Sequence, residues 1–198
     1  MRQPDTEDAG PPRPAIVLVI TGPSGVGKGT VVAALRRSRP DLWLSVSATT
    51  RPARPGEVDG EHYFFLTPER FAERVAGGQM LESAQFSGRW YGTPAQQVAD
   101  RLAAGQSVIL EIELQGARQV RQALPAATLV FLAPPSMVEL RARLTGRGTE
   151  DEAEVERRLA RAEQEMGAVS EFDQVIVNDD VDRVAKALLD LIPEPSSQ

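Results

Sequence analysis

The chain has 198 residues, 41% hydrophobic and 25% charged, the proportions of a single soluble globular domain with small insertions. A formal charge of −6 and a pI near 5.0 leave no strongly basic surface, which argues against a general nucleic-acid binder. With no cysteine and a single histidine, His62, disulfides, thiolate metal sites and a cysteine nucleophile are excluded, and a histidine metal site or Ser-His-Asp triad is disfavoured.

Residues 1–14 are acidic and proline-rich and read as a disordered extension, and residues 192–198 as a flexible tail. No apolar run approaches the ~20 residues that cross a bilayer, and the head lacks the basic-then-apolar order of a signal peptide, so the expected compartment is the cytoplasm. The run Ala15 to Ile20 reads as a buried strand, followed by Gly22-Pro23-Ser24-Gly25-Val26-Gly27-Lys28-Gly29-Thr30 and then a helical pattern. That is the strand-loop-helix setting of a phosphate-binding loop. Glycines let successive backbone N–H groups turn toward one anion, and the helix adds the positive end of its dipole. Lys28 is one of only two lysines beside 20 arginines, so a compact ammonium stands here against the compositional bias. Gly29 occupies the place where such loops usually carry Ser or Thr. Direct Mg²⁺ ligation from that position is therefore not expected, leaving the metal to nucleotide and water oxygens.

The first helix is expected to end near Pro40, with Leu44 to Ser47 as a short strand running into the arginine-bearing loop Ala48 to Glu57. Tyr63 to Leu66 reads as a strand, and Thr67-Pro68 as a helix start with Phe71 and Val75 on its buried face. Leu81 to Phe86 reads as a strand, Gly88 to Gly92 as a turn, and Thr93-Pro94 as the start of a helix carrying Val98 and Leu102. Ser107 to Ile112 and Thr128 to Leu132 are buried-type strands with a short helix around Val120 between them, which implies a parallel sheet. Ser136 to Glu139 is a capping-box start. A charged helix from about Glu150 to Met166 carries Val155, Leu159, Ala162 and Met166 as its apolar stripe, Asp173 to Asn178 is a last strand, and Val184, Leu188 and Leu191 mark the closing helix. Residues 47–95 and the arginine-rich stretch near 144–158 fit poorly into this alternation and read as insertions over a site at the carboxyl ends of the strands.

Beyond the loop, Ser45 to Arg51, Arg54 to Glu57, Tyr63, Gln85 to Gly88, Tyr91-Gly92, Gln115-Gly116, Ala133 to Ser136, Gly146 to Thr149 and Val175 to Asp179 appear in an order that resembles guanylate kinases, from about Ala15 to Leu191. The resemblance implies an α/β P-loop kinase: a parallel five-stranded core sheet flanked by helices (15–46, 96–142 and 159–191), a mixed α/β GMP-binding insertion (47–95) and a helical lid (143–158). It implies ATP and GMP or dGMP as substrates, Mg²⁺ with ATP, and neither nucleic acid nor membrane as partner.

By the same resemblance, residues 22–30 with Arg143 and Arg147 hold ATP, and Lys28, Arg51, Arg147 and Arg158 are catalytic. Ser47, Arg51, Arg54, Glu57, Tyr63, Glu82, Tyr91, Thr93, Glu111 and Glu113 form the GMP site. Guanine shows two adjacent donors that one carboxylate accepts, the role implied for Glu82, and guanidinium forks suit the GMP phosphate. Relatives commonly have aspartate at one of the positions of Glu111 and Glu113. Without the resemblance, Glu82 reads as an exposed strand charge, the loop arginines as a solvated face, Tyr63 as core and Glu111 as a strand-end charge. Arg141, Arg157 and Arg161 are assigned to solvated helix faces and His62 to loop decoration. Two other readings stay open, a non-catalytic binding module of this fold and a kinase of another small phosphate acceptor.

Overall fold

The computed structural model describes residues 14–146 and 152–194. The apolar run before the glycine-rich loop is β1 (Val17–Thr21), buried along its whole length. Burial on both faces is the situation of a central strand in a parallel sheet, which is why the run is continuously apolar and not alternating. Its neighbours are β7 (Val108–Glu111) and β8 (Thr128–Ala133), with β2 (Trp43–Leu44) beyond β7 and β9 (Gln174–Val177) beyond β8. All four pairings are parallel, so the carboxyl ends of the five strands lie along one edge.

Parallel neighbours require crossovers, and the crossover helices supply the two covers of the sheet. On one face Leu18 and Ile20 pack with Val31 and Leu35 of α1 (Lys28–Ser38) and with Val184 and Leu188 of α7 (Val181–Leu189). On the other, Val17, Val19 and Leu110 meet Val98 of α3 (Ala95–Ala103) and Ala117 and Val120 of α4 (Leu114–Ala123). A third cluster joins α5 (Met137–Thr145) to α6 (Glu152–Met166) through Leu140, Leu144, Val155, Leu159 and Ala162. Ser136 caps α5 by accepting from the Glu139 N–H at 3.1 Å, as its position in the sequence implies.

A second, mixed sheet has the order β4-β3-β6-β5 and draws all its strands from residues 48–94. These are β3 (Ala48–Thr49), β4 (Phe64–Phe65), β5 (Met80–Phe86) and β6 (Arg89–Pro94). The helix α2 (Pro68–Ala76), capped by Thr67, packs Phe71 on Trp90 with ring centroids 6.0 Å apart.

Three local expectations are corrected. Leu44 to Ser47 is not one strand: Leu44 pairs with Ile109 in the parallel sheet, and Ala48 pairs with Phe64 and Gly92 in the other. The Ser45 N–H still donates to Ile109 and the Ser47 carbonyl already accepts from Phe64, so the exchange of sheets falls at Val46. Gly88 to Gly92 is not a turn either. Only Ser87 and Gly88, at φ 48° and 72°, form the hairpin turn, a two-residue connection whose positive φ values suit the twist of the paired strands. Gly92 lies within β6 because a Cβ there would come within 2.7 Å of the Glu82 carbonyl and 3.1 Å of the Phe71 ring. Finally, Val75 is 42% exposed, since Phe71 is the sole buried residue of α2 and the helix's second turn runs past its cover.

The interior placement of β7, between β2 and β1, has a measurable consequence. Ile109, fully buried beside Leu18 and Ile20, should lose about 2–5 kcal/mol of unfolding free energy on Ile109→Ala in urea titration, from lost burial and the cavity left behind. A loss below about 1 kcal/mol would contradict that placement.

Candidate active site

Where the carboxyl ends of β1, β2 and β7 face the second sheet there is a cavity of about 320 Å³. Lys28, Glu111 and Glu113 line it from the core, and Ser47, Tyr63, Glu82 and Tyr91 from the second sheet. These seven are all expected site residues, and folding brings them together from stretches up to 85 residues apart. His62, assigned to decoration, also lines this cavity, with its ring nitrogen accepting from the Val58 N–H at 3.1 Å. A second cavity of about 480 Å³ adjoins Ser24 of the loop, the β5–β6 hairpin and α6, and Phe86 borders both.

The loop end is built for an anion. Gly27 occupies the N-cap of α1 with φ 101° and gives the helix no side-chain cap, unlike Thr67, Ser136 and Asp180 on α2, α5 and α7. The first N–H groups of α1 are thus left for an incoming oxyanion, with the helix dipole behind them. Gly29 and Thr30 are exposed at this end. The Lys28 ammonium donates to the Gly22 carbonyl and lies 3.6 Å from Glu113. Glu111, at the end of β7, has its carboxyl raised by burial, an effect opposed by Lys28 and reinforced by Glu113. The glycine-rich loop is tied to the end of β9 by Asn178, whose buried amide donates to the Val26 carbonyl at 2.7 Å.

Glu82 is 4% exposed, which overturns the reading of its carboxylate as an exposed strand charge. The Thr93 hydroxyl donates to Oε1 at 2.8 Å. The Thr93 hydroxyl and backbone N–H are neutral donors that offset only part of the lost hydration, so burial pushes the carboxyl up to about 7. The other oxygen, Oε2, sits where α4 has Gly116, and a Cβ on Gly116 would be 2.5 Å from it.

Arg51 and Arg54 lie in the β3–β4 connection. Arg51 makes a two-pronged pair with Glu57, both contacts at 2.9 Å, and its guanidinium carbon is 5.4 Å from the centre of the Tyr63 ring. The Arg51 fork, helped by the Arg54 backbone N–H at 2.6 Å, holds the Glu57 carboxyl well below its usual range. The Arg54 side chain is exposed. Tyr63 and Tyr91 meet edge to face at 6.1 Å, and burial raises the Tyr63 hydroxyl.

On α6, Arg158 donates to the Ser24 hydroxyl at 2.7 Å, bringing the helix to the loop. Arg157 and Arg161 are exposed, as their assignment to solvated helix faces has it, and both also line the second cavity. Arg161 stacks 4.5 Å over Phe86, contacts Glu165 at 3.0 Å and lies 3.9 Å from Glu113. Glu165, not Met166, takes the buried position at the end of the helix. Arg141 does pair along the exposed face, with Glu156. Arg143 lies behind the loop, donating to the carbonyls of Val26 and Asn178 at 3.0 and 2.9 Å. Arg147 lies outside the described residues. The sequence pattern carried no sign that Asn178, Arg161 or Gln119 would be structural contacts, since each depends on a partner distant in the chain.

Comparison with known proteins finds relatives that span most of the chain. A family model described as guanylate kinase matches residues 14–194. A guanylate kinase of Synechococcus sp. is 60% identical over 83% of this chain and 86% of its own. One from Thermobifida fusca is 55% identical over 98% of this chain and 100% of its own. The crystal structure of guanylate kinase from Anaplasma phagocytophilum superposes with a TM-score of 0.72 at 31% identity, over 89% of this chain and 84% of that one.

The buried carboxyl at Glu82 predicts a pH signature in the ligand-free protein. Because folding raises it from 4.5 to about 7, its contribution to stability is fully present below about pH 4.5 and is lost as pH rises through about 7. The difference of about 2.5 pH units corresponds to roughly 3 kcal/mol. Urea titrations across pH 5–8 should show wild type losing up to about that much relative to Glu82→Gln, and parallel profiles for the two would contradict the burial.

Proposed function

The chain belongs to the guanylate kinase family, and we propose that the cavity around Glu82 holds the acceptor nucleotide while the glycine-rich loop and α6 hold the phosphates of ATP. The chain is an ATP-dependent nucleoside monophosphate kinase that phosphorylates GMP, giving ADP and GDP. In the reading proposed here dGMP is also accepted, residues 47–95 act as the acceptor-binding insertion, residues 143–158 as the lid, and the enzyme works in the cytoplasm. Among the described residues no helix is long and apolar enough to cross a membrane.

The observation that carries the residue assignments is the buried, Thr93-bonded Glu82 carboxylate opening on the same cavity as Lys28. Guanine presents N1–H and its exocyclic amine side by side, and Glu82 ionised by that contact accepts both. Ser47, Thr93 and Glu113 complete the base site, and Tyr63 and Tyr91 offer hydroxyls to the acceptor phosphate. Arg51 exchanges Glu57 for that phosphate, a swap of one bidentate anion for another, and Arg54 follows on the same loop. Lys28 leaves the Gly22 carbonyl and Glu113 for the phosphates of ATP.

Phosphoryl transfer of this kind needs positioning and positive charge more than a base. Lys28, Arg51 and Arg158 supply charge from three directions, and Arg147 and Arg143 are assigned to the ATP side with them. Glu111 and Glu113 beside Lys28 offer acceptors for water molecules, a donor set that fits a Mg²⁺ ion keeping its hydration and phosphate ligands. When bound, Mg²⁺ would neutralise charge on the phosphate oxygens.

Coupled ADP release with GMP, dGMP, AMP, UMP and CMP tests the assignment, with turnover confined to GMP and dGMP as the expected result. Lys28→Ala should lower kcat at least about 10²-fold with an unchanged melting temperature, and near-normal turnover would sink the loop assignment. The KM for GMP should fall as pH rises through about 7, where Glu82 ionises, while the KM for ATP should lack that inflection.

A further inference from the structure

We infer that Gln119 is a positioning residue for guanine recognition, gripping the backbone of β5 next to Glu82 so that the core helix α4 sets where that carboxylate stands. The inference rests on the reading that Glu82 takes the guanine edge. β5 is the outer strand of its sheet, so one row of its backbone N–H and C=O groups points away from β6 and lacks a strand partner. At Ser83, Gln119 fills that vacancy with both ends of its amide: Oε1 accepts from the Ser83 N–H at 3.0 Å and Nε2 donates to the Ser83 carbonyl at 2.7 Å. A side-chain amide carries one acceptor and one donor, the same pair a neighbouring strand would present.

The grip also has a defined direction. Gln119 and Gly116 are three residues apart, hence on one face of α4, and Gly116 leaves the space that the Glu82 Oε2 occupies, since a Cβ there would be 2.5 Å away. The Gln119 amide is itself steadied by its contact with the Gln115 carbonyl at 3.3 Å. From the other side Thr93 on β6 holds Oε1. The carboxylate is thus clamped between a strand of the second sheet and a helix of the core, with Gln119 joining the two at the adjacent residue. Glu82 touches the substrate in this scheme, and Gln119 acts only through it. Without the grip, β5 is free to shift by a fraction of an ångström against α4, and a paired-donor contact is more sensitive to that shift than a phosphate contact is.

Gln119→Met keeps the length of the side chain and removes both hydrogen bonds. It should raise the KM for GMP about tenfold with the KM for ATP unchanged. It should also lower the preference for GMP over IMP, which lacks the exocyclic amine, in kcat/KM. Equal losses on GMP and IMP, or a profile like wild type, would overturn the inference. Glu82→Gln run in parallel separates the two readings: if it leaves the GMP/IMP ratio unchanged, the assignment of Glu82 has failed, and if it lowers the ratio while Gln119→Met does not, only the role of Gln119 has. Hydrogen exchange at the Ser83 amide of the ligand-free wild type needs no variant. Protection comparable to the β5–β6 ladder supports the grip, and exchange at the rate of an open edge overturns it.

Discussion

A site that binds two phosphorylated nucleotides must gather cations, and in their absence those cations must be held without collapsing on a single anion. Most features of this cleft follow from that constraint. Lys28 rests between the Gly22 carbonyl and Glu113, Arg51 in the fork of Glu57, and Arg161 between Glu113, Glu165 and the face of Phe86. Arg158 reaches the Ser24 hydroxyl on the loop. Each contact is with a group that a phosphate oxygen can replace at little cost, because the guanidinium or ammonium keeps an acceptor throughout. The partly exposed pairs of Arg161 therefore preserve geometry more than they add stability, whereas the two-pronged Arg51–Glu57 pair does both, as the lowered Glu57 carboxyl shows.

The scaffold accounts for how these charges arrive from so many parts of the chain. The parallel sheet delivers the loop after β1 and the acidic pair after β7 to one edge. The sheet exchange at Val46 sends the chain directly from that edge into the second sheet, so Ser47 emerges beside Lys28 and not across the molecule. The return from the second sheet runs through β6 into α3, which packs Val98 into the core. Two covalent crossings and the Gln119 contact with Ser83 thus fix β5 relative to the glycine-rich loop.

What was legible in the sequence was what local chemistry decides. The continuous apolar run of β1, the glycine pattern with Lys28, and the Thr67 and Ser136 caps each rest on neighbours within a few residues, and the structure has them as read. The resemblance names the candidate base and acceptor-phosphate residues, of which Ser47, Tyr63, Glu82, Tyr91, Glu111 and Glu113 line one cavity and Arg51, Arg54, Glu57 and Thr93 do not. Features decided by distant partners were not. Val46 has no composition that marks a change of sheet, Gly92 looks like a turn residue until Phe71 and Glu82 are placed against it, and Arg161 looks solvated until Phe86 lies under it. Val75 fails for the opposite reason, since helical periodicity shows which way a side chain points but not whether anything covers it.

The two carboxylates proposed for the base site, Glu82 and Glu113, differ in their surroundings. Among the described residues Glu82 forms no ion pair; it is held by the neutral hydroxyl and backbone N–H of Thr93, and burial leaves its carboxyl raised. A donor pair that restores its lost hydrogen bonds is then worth much more than it would be to a solvated carboxylate. Glu113 instead lies 3.6 Å from Lys28 and 3.9 Å from Arg161, so it is already compensated by charge and gains less from guanine. Its length, one methylene beyond aspartate, suits a group that spans two cations on different elements. In the proposed reading, selectivity for the base is therefore concentrated on Glu82 and on what fixes its position, while Glu113, which completes the base site, also holds Lys28 and α6 in register.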